Sequence, residues 1–233
     1  MNRDLELRRI PMDSVFNFRS LGGYAAGEKV TRHGVFYRCG WLDRVNKSDA
    51  QRIRSLGIKT VIDLRDESEI LYKPDVFDNP DEKEIKTFHI NLMADFSPEN
   101  FTYELQEQQG LTPFYRAIIL DGGEKIRQVI DCIAENIDRG AVLFHCAMGK
   151  DRTGITAMAL LSIAGVDRLD ILADYQVSET YIFSSWENMG SDVENLLASF
   201  DIIDGKYGGA IEYLKSCGVS GEVMDKIRAV FLK

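Results

Sequence analysis

The hydrophobic positions along this chain follow two rhythms. Short, nearly continuous apolar runs fall at Val35–Cys39, Lys59–Leu64, Ile85–Leu92 and Ala141–His145. Runs of this length, with β-branched residues, read as strands. The last, introduced by Gly140, has the unbroken apolar character of a central parallel strand. Helical patterns lie between and after them: Ser48, as N-cap, to Leu56, stopped by Gly57; Pro113 to Leu120; Glu124 to Asn136; and Thr153 to Ala164, ended by Gly165. Leu169–Val177, Ser191–Phe200, Gly209–Ser216 and Ser220–Phe231 continue the helical pattern, with Gly218 as a C-cap. The first 34 residues are polar around a Gly22-Gly23 turn. Residues 65–84, charged and broken by Pro74 and Pro80, read as a helix fragment and loop, and the polar residues 93–112 as a flap. Strands alternating with helices predict an α/β fold: a central, mostly parallel sheet of four to five strands flanked by helices, with a helical C-terminal third. The expected organisation is one domain over residues 1–233, with ligands at the carboxyl ends of the strands.

Composition narrows the chemistry. The chain has 233 residues and a formal net charge of −9, so a general nucleic-acid footprint is not expected. The four cysteines form no CxxC pair and the three histidines fall outside common zinc spacings. No metal and no cofactor are expected, and free thiols suit a reducing compartment. The N-terminus lacks a signal-like apolar stretch, and the longest apolar run, Ile155–Ala164, is too short to span a bilayer. The expectation is a cytoplasmic protein without stable membrane insertion, export by a route without a cleavable signal being left open. Nothing in the sequence speaks to oligomeric state.

The segment His145-Cys146-Ala147-Met148-Gly149-Lys150-Asp151-Arg152-Thr153-Gly154 carries the chemistry. Cys146 ends the central strand, Arg152 lies six positions on, and a helix follows. Strand, tight loop and helix turn several backbone N–H groups toward one point, and the helix dipole adds positive potential there. A cysteine at the base of such a nest is favoured as thiolate, hence as a nucleophile. Arg152 offers a planar fork for two phosphate oxygens, and Gly149 permits close approach. The Thr153 hydroxyl is placed to donate to the departing sulfur. A nucleotide-binding P-loop is excluded, because Phe144 stands where its first glycine would and Asp151 where its Ser or Thr would.

These residues resemble the signature of the protein tyrosine phosphatase superfamily, and within it the atypical bacterial tyrosine/serine phosphatases, a dual-specificity, lipid-phosphatase-like group. Asn17-Phe18-Arg19-Ser20-Leu21-Gly22-Gly23 resembles that group's NFRDLGG motif, with Ser20 at the usual Asp. Val61-Ile62-Asp63-Leu64-Arg65 resembles its IDLR segment, and Leu169–Tyr175 the stretch after the signature helix. The resemblance implies a cysteine-phosphatase fold and a phosphocysteine intermediate on Cys146. It also implies phosphate held by Ala147, Met148, Gly149, Lys150, Asp151 and Arg152, and a phosphorylated protein or a phosphoinositide as substrate. Lys150 either touches a second phosphate or faces solvent.

The resemblance places the general acid at Asp151 first, Asp95 on the loop after Ile90-Asn91-Leu92 second, and Asp63 third. Asp151 serves equally as a structural partner for Arg152. His145 either tunes the cysteine or is a core histidine bonded to backbone. Cys39 is either a partner for a protective disulfide or simply buried. Arg19 either orients a group at the site or forms a salt bridge. Two readings from other classes stand beside the phosphatase: a catalytically silent phosphate-recognition module, and a rhodanese-type sulfurtransferase, which Asp151-Arg152-Thr153-Gly154 fits poorly.

Overall fold

The computed structural model describes residues 8–93, 112–182 and 193–233. The strands are β1 (Arg19–Ser20), β2 (Ala25–Ala26), β3 (Lys29–Val30), β4 (Phe36–Cys39), β5 (Ile58–Asp63), β6 (Lys86–His89) and β7 (Ala141–His145). Five of them form one sheet in the order β1-β4-β7-β5-β6, while β2 and β3 pair separately. β4, β7, β5 and β6 run parallel, and β1 caps the edge antiparallel. The fold class is therefore the expected one.

Every residue of β7 is buried. Alternation explains why the run carries no polar face: Val142 and Phe144 join one apolar cluster with Ile62 and Ile155, whereas Ala141 and Leu143 join the other with Tyr37, Ile53 and Val61. Both faces are covered, so both must be apolar.

The helices are α1 (Lys47–Ser55), α2 (Glu67–Tyr72), α3 (Thr112–Asp121), α4 (Gly123–Asn136), α5 (Asp151–Ala164), α6 (Arg168–Gln176), α7 (Ser178–Tyr181), α8 (Val193–Tyr207), α9 (Ala210–Ser216) and α10 (Gly221–Phe231). No helix among the described residues is long and apolar enough to cross a membrane.

Several boundaries differ from the sequence reading for local reasons. Asn46, not Ser48, caps α1, because its side chain accepts from the Asp49 amide. β6 contracts to Lys86–His89, the stretch that pairs with Thr60–Asp63. α8 runs past Phe200 to Tyr207, burying Ile203 on the way, and Gly208 follows at φ +83°. Most consequential, α5 starts at Asp151 rather than Thr153, which places Arg152 inside its first turn. The expected flap at 93–112 lies almost wholly outside the described residues, and so does Asp95.

Candidate active site

Cys146 follows β7 and is buried, as are Lys150 and Thr153. The loop after it turns through Gly149 at φ +64° and enters α5, which no side chain caps. The first-turn amides of that helix are thus free of a capping acceptor from the protein. Gly149 is fixed by space as well as by conformation: a Cβ there would lie 2.1 Å from the Cys39 carbonyl oxygen. Gly149→Ala is expected to cost at least ~2 kcal/mol of stability, read by urea unfolding, from the left-handed backbone plus a backbone clash.

The loop carbonyls are all engaged from behind. Ala147 O accepts from the Trp41 amide at 3.0 Å. Asn17 Nδ2 donates to Met148 O (3.1 Å) and Gly149 O (2.9 Å). Arg38 Nη2 donates to Gly149 O (2.8 Å) and Lys150 O (3.2 Å). Behind these stands buried Asp174, whose Oδ1 accepts from Arg19 Nε at 3.0 Å and whose Oδ2 accepts from Arg38 Nη1 at 2.5 Å. Burial pushes the Asp174 carboxyl up, but Arg19 and Arg38 outweigh it and bring it to about 2. Arg19 is therefore a core salt bridge that also supports the loop.

Arg152 is held end-on by Glu69 of α2: Nη1 to Oε2 at 2.5 Å and Nη2 to Oε1 at 2.8 Å. Burial works against its charge, but Glu69 and then Cys146 outweigh it and raise the guanidinium above its ordinary range. Glu69 is itself anchored by a capping box with Asp66. The sequence reading missed this residue, although Asp66-Glu67-Ser68-Glu69 carries the capping-box spacing that announces it. Asp151 does not pair with Arg152. Its Oδ1 accepts from the Tyr115 hydroxyl at 2.7 Å, and Lys150 Nζ lies 3.7 Å away. The Lys150 side chain is only 3% exposed, so the solvent-facing reading of it fails. The Thr153 hydroxyl is buried with no hydrogen-bond partner, an orphan donor in the first turn of α5.

Asp63 belongs to a different set. It is the register partner of both His89 and His145 across three parallel strands. Arg65 bonds both of its oxygens, at 2.8 and 2.6 Å, and reaches Asp75 Oδ1 at 2.8 Å. Burial raises the Asp63 carboxyl, but His145, His89 and Arg65 outweigh that and hold it far below the usual range. Both Asp63 oxygens accept from Arg65, an arrangement that favours the ionised form over a proton donor. His145 Nε2 sits 2.8 Å from Asp75 Oδ2, and Nδ1 lies 3.3 Å from the Cys146 carbonyl oxygen. A carboxylate, and not backbone alone, is its partner. Asp63, Asp75 and His145 bring ligand atoms within 4.8 Å of one another, the kind of group that holds a metal. The Arg65 guanidinium already lies against both carboxylates, so the set reads as a balanced ion network.

That network has a pH signature. Burial disfavours the charged His145 ring, yet Asp75 and Asp63 raise its pKa to about 8. The hydrogen bond to Asp63, against burial, and then Asp78 raise His89 to about 9. Groups with raised folded-state pKa stabilise fully below their unfolded value and lose this as pH rises through the folded value. Stability to urea is therefore expected to decline from about pH 6.5 to about 9, and to decline less in His89→Asn. A flat profile over that range would contradict the ion network.

Cys39 and Cys146 are both free thiols. Burial, with Asp75 and Cys146 adding to it, pushes the Cys39 thiol well above its ordinary range, which matches an inert buried cysteine.

Comparison with known proteins agrees with this geometry. A sequence model described as "Tyrosine phosphatase family" matches residues 10–233. The chain is similar to a tyrosine-protein phosphatase from Nostoc commune, 29% identical over 224 residues, covering 83% of this chain and 73% of that one. It is also similar to the triple specificity protein phosphatase PtpB of Mycobacterium tuberculosis, 24% identical, covering 98% of this chain and 100% of that one.

Proposed function

This chain belongs to the tyrosine phosphatase family, and from that premise we propose that it hydrolyses phosphomonoesters of proteins through a phosphocysteine on Cys146. The observation that carries the assignment is Arg152 in the first turn of an uncapped helix, held by Glu69 and six positions past Cys146, which opens the loop at the end of the central strand. With Glu69 on the two terminal nitrogens, the Nε edge of the guanidinium is left for the phosphoryl oxygens.

The Cys146 thiolate attacks phosphorus, the S–P bond forms, and the ester P–O bond breaks. Asp151 gives the leaving oxygen its proton, and then takes one from the water that splits the S–P bond. Thr153 donates to the sulfur as it departs. The backbone amides from Ala147 to Arg152, with Arg152 itself, balance the charge that accumulates on the phosphoryl oxygens. Lys150, held inside the loop beside Asp151, narrows the entrance to the phosphate.

In Asp151→Asn, turnover of phenyl phosphate, a poor leaving group, is expected to fall by about 10²-fold, and that of para-nitrophenyl phosphate by much less. Equal losses on both esters would remove Asp151 as the acid and leave Asp95. The substrate class is tested by a panel of phosphotyrosine, phosphoserine and phosphothreonine peptides against phosphoinositides. Turnover of the peptides is expected. Turnover of phosphoinositides alone would overturn the protein assignment, and orthophosphate binding without turnover of any ester would identify a silent recognition module.

A further inference from the structure

We propose that Asn17 is a positioning residue for the reaction, fixing the phosphate loop by holding the carbonyls of Met148 and Gly149. The proposal rests on the reading of residues 146–152 as the phosphate loop.

Asn17 is the one non-glycine at positive φ (+58°) among the described residues, a conformation that asparagine tolerates better than most. It is buried, and its amide is fully spent. Both N–H groups go to the loop, at 3.1 and 2.9 Å, while the oxygen accepts from Arg19 Nη1. Arg19 is locked in turn by Asp174, the same carboxylate that locks Arg38 onto the carbonyls of Gly149 and Lys150. One buried anion thus steadies two arms that grip three successive carbonyls. Trp41 grips the fourth, on Ala147.

The consequence follows from peptide geometry. In a trans peptide, the carbonyl of one residue and the amide of the next point in opposite directions. With the carbonyls of Ala147, Met148, Gly149 and Lys150 tied to the body of the protein, the amides of Met148, Gly149, Lys150 and Asp151 are turned to the other side. That is the side a dianion must occupy. Gly149 O keeps Arg38, but the Met148–Gly149 peptide released by Asn17 is free to rotate, which removes the Gly149 amide as a donor and presents the Met148 carbonyl to the anion. The same amides are the donors nearest in sequence to the Cys146 sulfur, so its alkylation is a second readout of where they point.

Two variants test this. Asn17→Asp keeps the side-chain shape and the left-handed backbone but sets acceptor oxygens against two carbonyls. Asn17→Gly keeps the backbone and removes the donors. The readouts are the inhibition constant for orthovanadate, the pH midpoint of iodoacetate alkylation at Cys146, kcat, and the melting temperature. In Asn17→Asp the vanadate constant is expected to rise by about 10²-fold, with kcat falling alongside it. The alkylation midpoint is expected to move upward, and Asn17→Gly to give smaller shifts of the same sign. A purely structural role would lower the melting temperature and leave the vanadate constant and alkylation midpoint of the folded protein unchanged, and that result would overturn the proposal. Failure of both variants to fold would overturn it as well, by making Asn17 a folding residue. Turnover of para-nitrophenyl phosphate that survives Cys146→Ser would sink the loop reading itself. Cys146-dependent turnover with unshifted Asn17 variants would sink only the proposal.

Discussion

Replacing Cys146 with serine is expected to lower the hydrolysis of para-nitrophenyl phosphate by about 10⁴-fold or more. The expectation comes from what surrounds the residue. The loop supplies donors and positive charge, from the α5 amides and Arg152, and no group to take a proton from the nucleophile. A serine hydroxyl must lose its proton during attack, and a ring of donors offers nothing to take it. Phosphate binding uses the same donors and does not need the sulfur. The variant is therefore expected to bind orthophosphate with an affinity within a few-fold of the unaltered protein, and to unfold at nearly the same urea concentration. Loss of turnover with retained binding distinguishes a missing nucleophile from a collapsed loop.

The second large effect is expected at Arg152. In Arg152→Lys the rate should fall by about 10²- to 10³-fold, because a point charge replaces a fork shaped for two oxygens. The loss should appear in kcat more than in KM, since the equatorial oxygens draw closest to the fork in the transition state. Glu69 adds a second signature. It bonds both terminal nitrogens of Arg152, and the shorter lysine leaves that part-buried carboxylate without its bidentate partner. Stability is expected to drop by about 1–3 kcal/mol in urea unfolding. Adding Glu69→Gln should restore part of the stability without restoring the rate. Recovery of the rate in the double variant would mean that Glu69 holds Arg152 away from the phosphate.

The parts of the molecule that could be read from sequence are those in which local pattern and tertiary role coincide. β7 was legible because a central parallel strand must be apolar on both faces, and Gly140 and Gly165 marked the edges of the segment around it. Cys146 and Arg152 were legible because strand, loop and helix start all serve one chemistry. What escaped was the buried polar framework. Arg19, Arg38, Asp63, Arg65, Asp75, His145 and Asp174 are all buried, where charged residues are uncommon and must find partners. Their partners lie far apart in sequence, as Arg19 and Asp174 do, so no spacing rule connects them. Glu69 sat in a charged stretch read as a helix fragment and loop. Its local capping box was visible in the residues, but its reach to Arg152 depends on the pairing of β5 with β7. Asp63 looked like a candidate acid because it ends a strand beside the site. Only the three-dimensional pairing with Arg65 and the two histidines shows why it is kept ionised.

The central claim is that the phosphoryl group passes through Cys146. Rapid mixing with para-nitrophenyl phosphate, a denaturing quench within the first turnover, and peptide mass mapping test it directly. One phosphoryl group is expected on the peptide that contains Cys146, absent in Cys146→Ser. A phosphoryl group on any other residue, or first-turnover release of para-nitrophenol with no phosphorylated protein at any quench time, would contradict the account.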